Sequence, residues 1–296
     1  MKQSRFLILY GLVLVLFTLY VALDTFVITR VYTVSDATPQ AATSAVLPTT
    51  APAIVTATSY SDANITITLT EYREHDTTIY VADVTLTSPE LLKTALAEDS
   101  FGRNISQKTS EMAEANGAIL AINGDYYGSR ERGYVVRNGA LYRSSASSDT
   151  EALAIMADGS FRVVQEGVVA AEALVEDGAM HVFSFGPALL VDGEIAVTTR
   201  DEVGKAMEDN PRTAIGVYEP GHYVLLVADG RTRQSDGLTL YDLAEFMQGL
   251  GVTTAYNLDG GGSSSMVFMG EIINNPTTNG RKITERSVSD IVYIGY

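Results

Sequence analysis

Phe6 to Leu23 is a run of eighteen residues without a charge, dominated by Leu, Val, Phe and Ile, and Thr25 to Thr29 extends it past Asp24. At about 1.5 Å per residue, roughly 20 apolar residues cross the hydrocarbon core of a bilayer. The run therefore predicts a membrane-spanning helix through residues 6–28. Lys2, Arg5 and the amino terminus precede it, which places the N-terminus in the cytoplasm and everything after residue 30 outside the cell. A cleaved signal peptide is the competing reading. The run is longer than a usual signal core and no small-x-small cleavage site follows it, so the expectation is an uncleaved signal-anchor and a single pass through the cell membrane.

The next segment, Thr33 to Ser61, is rich in Thr, Ala and Pro and shows no amphipathic period. Such a composition buries too little apolar surface to offset its ordering entropy, and Pro39, Pro48 and Pro52 stiffen it, so it reads as a flexible, semi-extended stalk. The expected organisation is a cytoplasmic tip and anchor over 1–30, the stalk over 31–61, and one folded domain over 62–296.

That domain reads as α+β, with a mixed, largely antiparallel sheet core and a few packed helices. Asn64 to Tyr72 and Thr77 to Thr87 alternate Ile, Leu and Val with Thr and predict a hairpin. Ser88-Pro89-Glu90 predicts the start of a short helix with Leu91, Leu92, Ala95 and Leu96 on its apolar face. Ser106 to Ala115 predicts a second helix, stopped at Asn116-Gly117. Further strands are expected over Ala118–Ile122, Glu151–Ile155, Phe161–Gln165, His181–Leu190 (broken at Ser184-Phe185-Gly186-Pro187), Ala214–Tyr218, Tyr223–Ala228, Val252–Tyr256, Met266–Phe268, Ile272–Asn274 and Val288–Tyr296. Thr239 to Gly249 predicts a helix capped by Thr239, with Leu240, Leu243, Ala244, Met247 and Leu250 on one face. His222 is expected to be solvated at the tip of a hairpin turn, Glu219-Pro220-Gly221.

Charge and composition remove several functions. The net charge is −16, which disfavours nucleic acid, since a polyanion needs a basic face. There is no Cys, so disulfides and thiolate metal sites are absent, and none of the three His has a helical His partner for zinc. No Lys adjoins the glycines of residues 260–262, so a P-loop fails, and Gly261-Gly262-Ser263-Ser264-Ser265 lacks the last Gly of a hydrolase elbow.

Two stretches stand out. Val252 to Tyr256 runs as a buried strand into Asn257-Leu258-Asp259-Gly260-Gly261-Gly262-Ser263-Ser264-Ser265. Three glycines lose much backbone freedom on folding, yet they allow close approach of a ligand and an amide nest for an anion. A tight turn is the plainer alternative. Ala118–Ile122 likewise runs into Asn123-Gly124-Asp125-Tyr126-Tyr127-Gly128, either a hairpin turn or a second wall of the same site, with two tyrosines as a platform for a sugar ring. Arg212 precedes a strand and Arg231 follows one at Asp229-Gly230. Strand-end carboxylates (Asp125, Asp229, Asp259), arginine forks and an amide nest together suit a substrate that carries both a phosphate and a hydroxyl-rich ring.

Asn123-Gly124-x-Tyr126-Tyr127, Gly186-Pro187, Asn210-Pro211-Arg212-Thr213-Ala214-Ile215-Gly216, Asp229-Gly230-Arg231 and Asn257-Leu258-Asp259-Gly260-Gly261-Gly262-Ser263-Ser264 resemble the phosphodiester glycosidase family over roughly residues 90–296. Bacterial members are often labelled exopolysaccharide-biosynthesis proteins. The resemblance implies a hydrolase that cleaves a sugar-1-phosphodiester of an extracellular cell-wall or exopolysaccharide glycan at the anomeric carbon. It points to Asp259, Arg212, Asp125 and Asp229 as catalytic candidates. Asn123, Gly124, Tyr126, Tyr127, Thr213, Arg231, Asn257, Gly260, Gly261, Gly262, Ser263, Ser264 and Arg286 are the candidates for substrate binding. Asp125 and Ser287 depart from the family pattern. A non-catalytic binding module for wall glycan or teichoic acid stays open, as does a metal-assisted hydrolase in which Asp125 and Asp259 hold Ca²⁺ or Mg²⁺.

Overall fold

A computed structural model describes residues 2–32, 52–148, 150–200 and 209–296. Three antiparallel sheets carry the fold. The largest has nine strands, running in space from Glu194–Ile195 through Ala188–Val191, Thr254–Asn257, Arg212–Glu219, His222–Ala228, Thr77–Leu86, Ile65–Glu74 and Ser59–Ser61 to Ile54–Val55. A five-stranded sheet orders Glu271–Ile272, Met266–Phe268, Leu120–Asn123, Asp290–Ile294 and Leu92–Leu96. The third, also of five strands, orders Ala140–Arg143, Val135–Arg137, Ala179–Phe183, Glu151–Met156 and Phe161–Gln165.

The predicted hairpin forms with Ile65 opposite Leu86 and Glu74 opposite Thr77. Its alternating Ile65, Ile67 and Val84 enter one core with Leu120, Ile122, Phe183, Ile215, Leu225, Tyr256 and Val292, so residues from all three sheets share one apolar interior. The opposite face of the nine-stranded sheet is covered by the helix Leu240–Gly249, whose Leu240, Leu243, Ala244 and Met247 pack on Val224, Leu226, Ala214 and Ala255. Thr239 and Asp242 form a capping box at its start. The helix Thr109–Ala115 also forms where expected and is followed by Gly117 at φ 60°.

Three expectations need correction. Only Pro89–Leu91 turns, as one 3-10 turn capped by Ser88. Leu92–Leu96 is a strand paired with Asp290–Ile294. Leu92 joins the central core and Ala95 the outer cluster, so pairing with the last strand has overridden a helix-like start. The sheet also begins before residue 62, since Ile54–Val55 and Ser59–Ser61 are its edge strands. Most of the expected stalk, residues 33–51, lies outside the described residues. His222 is half-buried, and its Nε2 lies 3.0 Å from an Asp83 oxygen instead of being fully solvated.

The helix Lys2–Phe26 contains a segment, Ile8–Phe26, that is long and apolar enough to cross a membrane, a property shared by anchors and signal sequences.

Candidate active site

The ends of strands from two sheets meet at one place. Asn257 pairs with Ala214, which sets the exit of Thr254–Asn257 beside the entry of Arg212–Glu219. The strand Leu120–Asn123 arrives from the five-stranded sheet, and Asn123 ties the three segments together. Its Oδ1 accepts from Thr213 Oγ1 at 2.8 Å and from Ser265 N at 3.2 Å, while its Nδ2 donates to Asp259 O at 2.5 Å. Asn123 and Thr213 are both at 0% exposure, so they form an internal bracket and not the sugar contacts expected of them.

Gly124 continues the bracket by accepting from Asp259 N at 3.1 Å. A Cβ at this glycine would stand 2.5 Å from Asp290 Oδ1, so the position requires Gly for space. Gly124→Ala should therefore displace the segment that fixes Asp259. We expect about 1–3 kcal/mol less stability, read by thermal melting, together with reduced turnover.

The junction opens into a cavity of about 160 Å³, lined by Phe185, Asn210, Arg212, Arg231, Asn257, Leu258, Asp259, Gly260, Gly261 and Arg286. Three of these residues are arginines and one is a carboxylate, so the lining is cationic in a strongly acidic chain. Arg212 is buried at the base, with Nε donating to Leu238 O at 2.7 Å. Arg231 stands at the rim, its Nη2 on Asn210 Oδ1 at 2.9 Å and its Nη1 on Thr278 O at 2.7 Å. Burial lowers its pKa, and the neighbouring charges of Arg286 and Arg212 lower it further. A phosphate anion would relieve that mutual repulsion.

Asp259 is held on one side only. Its Oδ2 accepts from Ser263 Oγ at 2.6 Å and from Arg286 Nη2 at 3.3 Å, and Arg286 also donates to Ser263 Oγ through Nη2 at 2.6 Å and Nε at 3.0 Å. Among the described residues Oδ1 has no protein partner. Burial raises the Asp259 pKa against the pull of Arg286 and Ser263, and the charge of Asp125 adds to the rise. Any role that needs the carboxylate is thus lost as pH falls through a pKa above the ordinary Asp range. Arg286→Gln removes a cation that lowers it, so the acid limb of a pH–rate profile should move to higher pH.

Part of the glycine run is engaged by the protein itself. Gly261 N donates to Pro211 O at 2.8 Å, Ser263 N to Gly260 O and Ser264 N to Gly261 O, so these amides are engaged by the protein. Cβ atoms at Gly260 and Gly262 would lie 2.8 Å from Pro211 O and 2.5 Å from Thr278 Oγ1. Close packing requires those two glycines. Asn257 donates from Nδ2 to Gly186 O at 2.8 Å, and its Oδ1 is buried without a partner, as is the Ser264 hydroxyl. An orphaned acceptor in a cavity wall suits a donor on a ligand.

Of the two tyrosines only Tyr126 is on the surface, at 40% exposure. Tyr127 is at 3%, stacks on Phe101 and donates its hydroxyl to Ser289 O at 2.9 Å, which places it in the core. The residue that completes the aromatic surface is Phe185, which the sequence did not single out. Arg130 lies 5.0 Å from its ring centre and 5.9 Å from that of Tyr126. Asn210 is likewise a cavity residue absent from the candidates.

Asp125 and Asp229 do not line the cavity. Asp125 accepts from Tyr126 N at 2.6 Å and Ser184 N at 2.8 Å. Behind it Arg137 donates from Nε to Asp290 Oδ2 at 2.7 Å, and Asp290 Oδ1 accepts from Asp125 N at 2.7 Å. Asp229 is held by Asn274 and Asn275 at 2.9–3.1 Å. Among the described residues no group of three His, Asp or Glu side chains suited to a metal occurs, so the Asp125–Asp259 pair has no third acidic or His ligand beside it.

Residues 116–295, more than half of the chain, match the phosphodiester glycosidase family, and they include every residue lining the cavity. The chain belongs to the phosphodiester glycosidase family. It is 30% identical over 201 residues to the SPbeta prophage-derived uncharacterized protein YomE of Bacillus subtilis, covering 66% of this chain and 31% of that protein. It is 44% identical over 66 residues to the N-acetylglucosamine-1-phosphodiester alpha-N-acetylglucosaminidase of Mus musculus, covering 22% of this chain and 13% of that enzyme. The chain thus spans less than a third of either relative. The fold is that of the zebrafish N-acetylglucosamine-1-phosphodiester alpha-N-acetylglucosaminidase catalytic domain, with a TM-score of 0.62 at 20% identity over 78% of this chain and 83% of that one. A hypothetical protein from Synechocystis has a TM-score of 0.59 at 15% identity, covering 78% of this chain and 62% of that one. Family and fold support a glycosidase-type function.

Proposed function

We propose that the protein is a membrane-anchored, extracytoplasmic glycosidase that hydrolyses a sugar-1-phosphodiester of a wall or exopolysaccharide glycan at the anomeric carbon. The observation that carries this reading is the meeting of Arg212, Arg231 and Arg286 with one singly held carboxylate, Asp259, in one cavity. The arginines take the phosphate, Asn257 Oδ1 accepts from a ring substituent, and Phe185 with Tyr126 flanks the sugar.

The C1–O bond breaks with its electron pair going to the phosphate oxygen, and a water oxygen ends on C1. A phosphate monoester has its second pKa at about 6, so it departs at neutral pH without a proton. This fits a cavity whose described lining offers cations at the leaving side and no second carboxylate. Asp259 acts through Oδ1, either on C1 itself or on the attacking water. Asp125 and Asp229 serve as positioning residues.

The test is incubation of the full chain with methyl esters of hexose 1-phosphate and N-acetylhexosamine 1-phosphate, both anomers. Free reducing sugar and methyl phosphate in equal amounts are expected. Tight binding without turnover would favour the binding-module reading, and loss of turnover in chelator, restored by Ca²⁺ or Mg²⁺, the metal-assisted one.

A further inference from the structure

The end of the apolar helix is fastened to the domain, and the fastening adjoins the mouth of the cavity. Arg30 and Val31 pair antiparallel with Arg103 and Gly102, and Tyr32 N donates to Phe101 O at 2.9 Å. Asn104 Nδ2 donates to the Thr25 and Ile28 carbonyls at 3.3 and 3.0 Å, satisfying acceptors that a helix end leaves open. Gly102 is required there, since a Cβ would stand 2.0 Å from Arg30 O.

The next segment inward leads to the cavity. Asn104 N donates to Gly128 O at 3.1 Å, and Phe101 stacks on Tyr127 at 5.2 Å between ring centres. Tyr126 and Arg130 flank that turn, and the Arg130 guanidinium lies 5.0 Å from the ring centre of Phe185, which lines the cavity. Two neighbouring chain segments, 101–104 and 126–130, thus stand between the helix end and Phe185 at the cavity. The surface here suits a headgroup layer. Val27, Val31, Tyr32 and Tyr126 are exposed, and beside them stand Arg130 and Arg103, the latter paired with Glu131 at 3.1 Å.

We propose that this clamp seats the cavity mouth on the outer leaflet, and that the substrate is a sugar phosphodiester whose aglycone is a membrane lipid. The proposal rests on the glycosidase reading and names its substrate class. Hydrolysis releases the sugar outside the cell and leaves the lipid phosphate monoester in the bilayer, the water oxygen having joined C1.

The test uses the full chain in vesicles of phosphatidylcholine and phosphatidylglycerol that carry a polyprenyl phosphoryl hexose, with the methyl ester of the same sugar phosphate as soluble substrate. Tyr32→Pro removes the amide that holds Phe101 O, and Asn104→Ala removes the helix-end contacts; neither residue lines the cavity. Both variants should lose about tenfold on the lipid substrate, as effective concentration falls, while keeping the soluble rate. Wild-type rates of both variants on the lipid substrate would overturn the proposal, as would turnover of the soluble ester with none of the lipid. Turnover of neither substrate would count against the glycosidase reading itself, and placement is then read separately. The chain has no Trp, so Ser129→Trp is a sole reporter. Its fluorescence should be quenched by brominated lipid, and less so with Tyr32→Pro added. Absence of quenching overturns the placement.

Discussion

Asp259→Asn should lower kcat/KM on a sugar-1-phosphodiester by about 10³-fold, within the range for loss of a positioned acid–base group, and leave the melting temperature within a few degrees. Asn keeps an oxygen for Ser263 and Arg286 at the Oδ2 position, so the bonds that hold the segment survive. What disappears is the charge on Oδ1, which has no protein partner among the described residues. A variant that retained wild-type turnover would remove Asp259 from the chemistry. Arg286→Gln should behave differently, with an acid limb moved to higher pH and a rise in KM from the lost phosphate partner.

Arg137→Met should have the largest effect on stability, about 3–5 kcal/mol for stranding a buried charge, and a melting temperature lower by roughly 10 °C for a domain of this size. Arg137 is buried, with its guanidinium 4.1 Å from the Phe183 ring centre, and holds Asp290 while lying 3.8 Å from Asp125. Burial pushes the Asp290 carboxyl up to about 6 against the pull of that guanidinium. A raised carboxyl contributes stability that is full below its unfolded value of about 3.9 and lost as pH rises through the folded one. Without Arg137 the folded value moves higher still, so Arg137→Met should cost less at pH 5 than at pH 8. Equal losses at both pH values, by denaturant melts, would contradict the assignment.

Period and punctuation made most of the scaffold legible. The alternating Ile and Val of the 65–86 hairpin and the capped face of Leu240–Gly249 form as read, and the apolar run Ala118–Ile122 yields a strand shifted to Leu120–Asn123. Leu92–Leu96 was not legible, because a Ser-Pro-Glu start resembles a helix and only pairing with Asp290–Ile294, nearly two hundred residues away, makes it a strand. At the candidate site the sequence placed Asp259, Asn257, Arg212, Arg231 and Arg286, which share the cavity. It could not separate ligand-facing from bracing groups. Asn123, Asp125, Asp229 and Tyr127 have the residue types of a binding site, yet they form hydrogen bonds with remote backbone or side chains. Phe185 was missed because one aromatic in a loop carries no period. It gains meaning only when Arg130 arrives between it and Tyr126.

Hydrolysis of a hexose 1-phosphate methyl ester in ¹⁸O-enriched water, with mass analysis of the methyl phosphate, tests the central claim most directly. Attack at the anomeric carbon leaves the phosphate product unlabelled, because every oxygen on phosphorus comes from the substrate. One ¹⁸O in the methyl phosphate would mean cleavage at phosphorus and would contradict the account.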